Sequence, residues 1–127
     1  NSITIINTST YKVVDTLKTG DEPLKLKFSK DGKYCLVANA IEGTISVYNQ
    51  QSKKKIKSII LHGKTTLLER ILYHTPRPVN ILIHPNGLYA FISNSNANKI
   101  EVIDMKTFKL VSSIGTGKVP DALAFVE

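Results

Sequence analysis

The stretch from Gly20 to Asn49, GDEPLKLKFSKDGKYCLVANAIEGTISVYN, returns in altered form from Arg77 to Asp104 as RPVNILIHPNGLYAFISNSNANKIEVID. Pro23, Gly32, Tyr34, Asn39, Ile45 and Val47 are matched 55 positions later by Pro78, Gly87, Tyr89, Asn94, Ile100 and Val102. At a separation of 97, Lys12, Thr19, Gly20, Pro23 and Phe28 meet Lys109, Thr116, Gly117, Pro120 and Phe125, while ITIIN at Ile3 returns 42 positions on as ISVYN. The period is therefore 42, and the second unit carries 13 extra residues between Leu61 and Pro78. A period of about 40–45 residues divided into four short strands is the pattern of a propeller blade.

The expected class is all-β: four-stranded antiparallel blades in an incomplete ring, with one short helical insertion. Blade portions fall at 1–19, 20–61, 78–116 and 117–127, and the insertion at 62–77. Without the insertion the 127 residues hold about 2.7 units, whereas closed rings have about 4–8 blades. The chain starts at the third strand of one unit and stops after the first strand of another, and these ends joined head to tail lack a second strand. The expectation is a carboxyl-terminal piece of a larger propeller, with further blades, other copies or another chain completing the ring.

In chain order, Ile3 to Asn7 and Val13 to Leu17 read as an antiparallel hairpin, and Gly20 to Pro23 turns the chain inward because proline cannot continue a ladder. Leu24 to Phe28 is followed by Asp31-Gly32, a two-residue hairpin signal repeated at Asn86-Gly87. Tyr34 to Ala38 is nearly all apolar, as in a strand covered on both faces. The lysine-bearing run from Lys55 to Leu61 suits a wet edge. The count predicts eleven strands, the last running from Asp121 to Val126.

The succession G-x-x-P, F-S-x-D-G-x-Y, V-A-N and I-S-V-Y-N resembles the YVTN family of β-propeller repeats over nearly the whole chain apart from the insertion. The resemblance implies strands running outward from a central channel, usually in seven blades, and a carboxyl end like GTGKVPDALAFVE whose strand closes the ring. Proteins similar to this family include surface-layer and secreted proteins, and relatives include lactonase-like and cofactor-dependent dehydrogenase propellers. An extracellular or periplasmic place is what the resemblance favours; the residues themselves leave localisation unknown.

Fifteen lysines and two arginines give a formal net charge of +7, with a dense run at Lys53, Lys54, Lys55 and Lys57. That balance admits an anionic ligand, but scarce arginine argues against specific nucleic-acid recognition, which prefers a bidentate fork. The single cysteine, Cys35, sits in an apolar strand and reads as a small core residue. No apolar run reaches the roughly 18 residues of a transmembrane helix.

The insertion begins HGKTTLLERILYH. Gly63-Lys64-Thr65 imitates the end of a phosphate-binding loop, but Ser58 stands where its first glycine belongs and the intervening residues are a strand. Thr66 and Glu69 instead form a capping box, so Thr66 to Tyr73 is expected to be an amphipathic helix with Leu68 and Leu72 its more buried positions. It lies on the same face as the turns near Asn39 and Asn94. His62, His74 and His84 lack metal-binding spacing, Ser29 is a turn residue, and no catalytic set assembles. The expectation is no catalytic residue, no metal and no cofactor within this chain. Lys25 and Lys27, on a crowded inner strand, and Asp121 are the candidate ligand-binding residues. Leu68, Leu72, Leu123 and Phe125 are the candidate interaction residues, toward a protein partner or further blades. The function expected is a scaffold or protein-interaction segment of a propeller; the alternative is part of a lactonase-like or dehydrogenase propeller whose catalytic residues lie elsewhere.

Overall fold

The computed structural model describes residues 1–63, 67–72 and 76–126. Strands β1 (Ser2–Ile6) and β2 (Val13–Lys18) form a two-stranded sheet. Strands β3 (Pro23–Phe28), β4 (Tyr34–Asn39), β5 (Thr44–Asn49) and β6 (Lys55–Ile60) form a four-stranded antiparallel meander. After the helix α1 (Leu67–Leu72), β7 (Pro78–Ile83), β8 (Tyr89–Asn94), β9 (Lys99–Asp104) and β10 (Lys109–Gly115) repeat it. Each four-stranded set is a propeller blade with its strands in sequence order; β1–β2 are the outer two strands of a partial first blade, so that β3–β6 make the second blade and β7–β10 the third.

Ten strands are described where eleven were expected. Val119 turns in a left-handed conformation at φ 54°, and residues 120 to 126 after it form no regular element and join no ladder. The physical reason is pairing: a strand is held by its neighbour's hydrogen bonds, and no partner strand lies beside this segment among the described residues. It packs instead on the outer face of the β7–β8 hairpin, where Ser93 Oγ donates to the Asp121 carbonyl at 2.6 Å and the rings of His84 and Phe125 meet edge to face at 4.9 Å.

Both inner hairpins turn where the sequence places them, but over five residues rather than two. Ser29 N–H donates to the Tyr34 carbonyl and Gly32 N–H to the Ser29 carbonyl, with Gly32 at φ 71°. His84 to Tyr89 repeats this geometry with Gly87 at φ 75°, a region glycine enters without a Cβ penalty. Asp31 locks the first turn by accepting from Ser29 Oγ at 2.6 Å and Lys33 N–H at 3.1 Å. The Ser29 bond, then the Lys33 amide, hold the Asp31 carboxyl below its ordinary range.

The main core lies between the two blades. Leu36, Ala38, Ile45, Val47 and Ile59 from one meet Ile81, Ala90, Ile92 and Ile103 from the other. Strand β4 shows no alternation of burial because its opposite face, Cys35 and Val37, is covered in turn by Ile3 and Leu17 of β1–β2. A middle blade stacked on both sides has to be apolar on both sides.

Candidate interaction surface

The pairing register divides β3 into two faces. Leu26 lies opposite Val37 and Phe28 opposite Cys35, so these apolar side chains share the face that looks toward β1–β2. Lys25 and Lys27 lie opposite Ala38 and Leu36 and share the face toward β7. The β1–β2 pair covers only the outer half of its neighbour. Leu24, Leu26 and Phe28 remain 47%, 42% and 54% exposed. Between Leu26 and Phe28 on one side and Ile3, Ile5, Leu17 and Cys35 on the other runs an apolar cleft of about 150 Å³. A shallower hollow beside Ser2, Pro23 and Leu24 continues it along the inner side of β1. Among the described residues β1 pairs only with β2, so its inner edge there is an unused ladder beside an apolar floor.

Cys35 lies in this floor, 7% exposed, and burial pushes its thiol up to about 11 from 9.0. A folded-state value above the unfolded one means that its stabilising contribution is complete below about pH 9 and lost as pH rises through about 11. At pH 8 the folded chain holds roughly a hundredfold less thiolate than the unfolded one. Iodoacetamide should therefore alkylate Cys35 at least that much more slowly in buffer than in urea; equal rates would show an open thiol.

The structure places the predicted site residues apart. Lys25 and Lys27 are exposed on the inner strand facing β7, whereas Asp121 lies across the β7–β8 hairpin on its far face, so they do not converge. Leu123 is half-buried and Phe125 44% exposed, both on the unpaired segment described above rather than on a strand. Leu68 and Leu72, expected as the more buried helix positions, are 68% and 64% exposed, and Leu67 is exposed too. The reason is that Ile59 and Leu61 already close the inter-blade core at the start of the insertion, leaving no apolar face for a single six-residue helix to fill. Thr66 of the expected capping box, Tyr73, His74 and the Lys64-Thr65 pair lie outside the described residues.

The sequence reading missed a buried polar cluster at the end of the blades that carries the insertion. Glu101, 1% exposed, accepts from His62 N–H at 3.1 Å and pairs with Lys99 Nζ at 3.0 Å. Asn94, fully buried, donates to the His62 carbonyl at 3.0 Å and accepts from Arg77 N–H at 3.0 Å. Its counterpart Asn39 donates to Thr44 Oγ1 and Ser46 Oγ. Across the blade boundary Arg77 pairs with Glu22 at 2.9 Å. The cluster ties both ends of the insertion to the third blade and leaves Glu101 fully engaged. The available signal was a glutamate where the earlier unit has Ser46, two residues from Ile103 and so on the same strand face, with a lysine two residues before it on that face too.

No protein-family model and no curated protein matches the chain. Among solved structures it is similar to hydrazine synthase from Kuenenia stuttgartiensis, with 28% identity and a TM-score of 0.77 over 92% of this chain and 30% of that one. It is also similar to a functionally unknown protein from Desulfotomaculum acetoxidans, with 18% identity and a TM-score of 0.71 over 94% of this chain and 36% of that one. The chain thus spans about a third of the length of each, and the second likeness concerns the fold alone.

Proposed function

We propose that this chain is a non-catalytic segment of a YVTN-type propeller, serving as a scaffold whose apolar inner faces receive further blades or a protein partner. The observation that carries this reading is the row Leu24, Leu26 and Phe28, exposed beside the unpaired edge of β1. Burying each such side chain is worth about 1.5–3 kcal/mol, and an open strand edge above an apolar floor favours strand addition. Leu123 and Phe125 offer a second such surface at the other end, and exposed Leu68 and Leu72 a third. In sedimentation velocity the isolated chain should associate between low and high micromolar concentration, and Leu26→Asp with Phe28→Asp should weaken that association at least tenfold. A strictly monomeric chain at high micromolar concentration would overturn the reading.

The likeness to part of a hydrazine synthase at 28% identity favours one alternative, a blade segment of an enzyme whose reactive residues lie in other parts of the molecule. In that case the chain by itself shows no hydrazine formation, and turnover by the isolated chain would refute it.

A further inference from the structure

The inner turns of the second and third blades are built alike but differ at one side chain, where Asp31 of the first turn corresponds to Asn86 of the other. Gly32 and Gly87 follow with φ 71° and 75°. Asp31 Oδ1 accepts the Lys33 N–H at 3.1 Å, and Asn86 Oδ1 accepts the Leu88 N–H at 2.9 Å. An oxygen that reaches an N–H two residues on must lie across the intervening peptide, so this bond folds the Asn86 amide forward over the Gly87 nitrogen. The Leu88 donor also polarises the amide, and negative charge forming on Oδ1 already has a partner. Asn86 is exposed and therefore open to water and hydroxide. Of the nine asparagines it alone precedes glycine, whose nitrogen carries no Cβ beside it to hinder attack.

We infer that Asn86–Gly87 is a site of spontaneous deamidation, in which the Gly87 nitrogen closes on Asn86 Cγ. The Cγ–Nδ2 bond breaks, and ammonia leaves with the proton that the Gly87 nitrogen carried. Water then opens the cyclic imide at either carbonyl, giving aspartate or, with the main chain rerouted through Cγ, isoaspartate. The fold receives these two products differently. Aspartate keeps the acceptor for the Leu88 N–H, and the sister turn at Asp31 shows that the geometry takes a carboxylate. Its charge enters an open cleft between the two turns that Lys30 and Asp31 also line, so the lysine offsets the added acid. Isoaspartate instead adds a methylene to the main chain within a turn closed by Gly87 N–H to the His84 carbonyl at 2.8 Å and His84 N–H to the Tyr89 carbonyl at 2.9 Å. Gly87 lies so near the Lys30 side chain that a Cβ there would come within 3.3 Å of it, and Lys30 Nζ donates to the Pro85 carbonyl. His84 holds Phe125. The isoaspartyl form therefore loosens both the joint between the blades at this end and the seat of the last segment.

The test keeps the whole chain near pH 9 for several days and maps its peptides by mass spectrometry against a fresh sample. Asn86 should convert at least tenfold faster than any other asparagine, a difference of about 1.4 kcal/mol in barrier. G87A, whose methyl shields the nitrogen, should slow the conversion by a similar factor. Because alanine is strained at this φ, N86Q is run beside it: its longer side chain cannot close the five-membered imide, and its charge on ion exchange should stay constant. N86D should melt within about 2 °C of the parent, while the isoaspartyl fraction recovered by ion exchange should melt at least about 4 °C lower. Conversion at Asn86 no faster than elsewhere, or the same drift of charge in N86Q as in the parent, would overturn the site. N86D melting as low as the isoaspartyl fraction would overturn the distinction between the products.

Discussion

Replacing Glu101 by alanine is expected to destabilise the chain by about 3 kcal/mol, at the lower end of the cost of breaking a buried ion pair. The lower end applies because Lys99, with its side chain 18% exposed, can turn toward water once released. The His62 N–H cannot follow so easily, since the His62 carbonyl is held by Asn94, and a buried donor without an acceptor adds its own penalty of about 1–3 kcal/mol unless water enters. For a chain of this size the change corresponds to roughly 10 °C in melting temperature. Glu101→Gln keeps an acceptor for His62 and should cost about half as much. A shift below about 2 °C for the alanine variant, read by circular dichroism, would show that the cluster contributes little.

Ile92→Ala should cost about 2–5 kcal/mol, the range for truncating a fully buried aliphatic side chain. Ile92 is fully enclosed and sits in the core shared by the two four-stranded blades. No ladder joins those sheets, so the joint depends on packing and a few polar bridges such as Arg77 with Glu22 and Lys30 Nζ with the Pro85 carbonyl. A cavity there loosens one blade on the other. In urea the midpoint should fall by about 1–2 M, while Phe28→Ala, on the uncovered face, should move it much less. Similar shifts from the two variants would mean that the cleft over Phe28 is already filled by association, which sedimentation of the same samples resolves.

The repeat made most of the blade architecture legible. Six identities in one register placed every strand of the two complete blades, and the loss of alternation in YCLVAN announced a strand covered on both faces. What the pattern did not carry was the consequence of missing partners. The segment from Asp121 has the composition of a strand, yet a ladder needs two chains, and composition cannot report the second. The leucines of the insertion form a helical stripe, but a stripe buries only where unfilled apolar surface faces it, and Ile59 and Leu61 had closed that surface. The face of Leu26 and Phe28 was readable only in part: the missing inner strand was anticipated, whereas the cleft reaching Cys35 depends on how far β1–β2 overlap their neighbour. Glu101 was passed over because a charged residue in an alternating strand suggests solvent.

The differing partners of Asn39 and Asn94 bear on how such a chain avoids assembling in the wrong order. Units descended from one repeat have nearly the same shape, so a sheet that docked on the wrong neighbour would still match it in outline, a known hazard of repeat proteins. Here the matched asparagines are wired differently, one to Thr44 and Ser46 within its own blade, the other to the chain leaving the preceding blade at His62. Glu101 stands where the earlier unit has Ser46 and depends on the same passing strand for a donor. Docked anywhere else, the third blade would carry a carboxylate into its core without that N–H, and the desolvation cost would reject the pairing. The polar cluster thus acts as an address label, so that blades alike in form are not interchangeable in place.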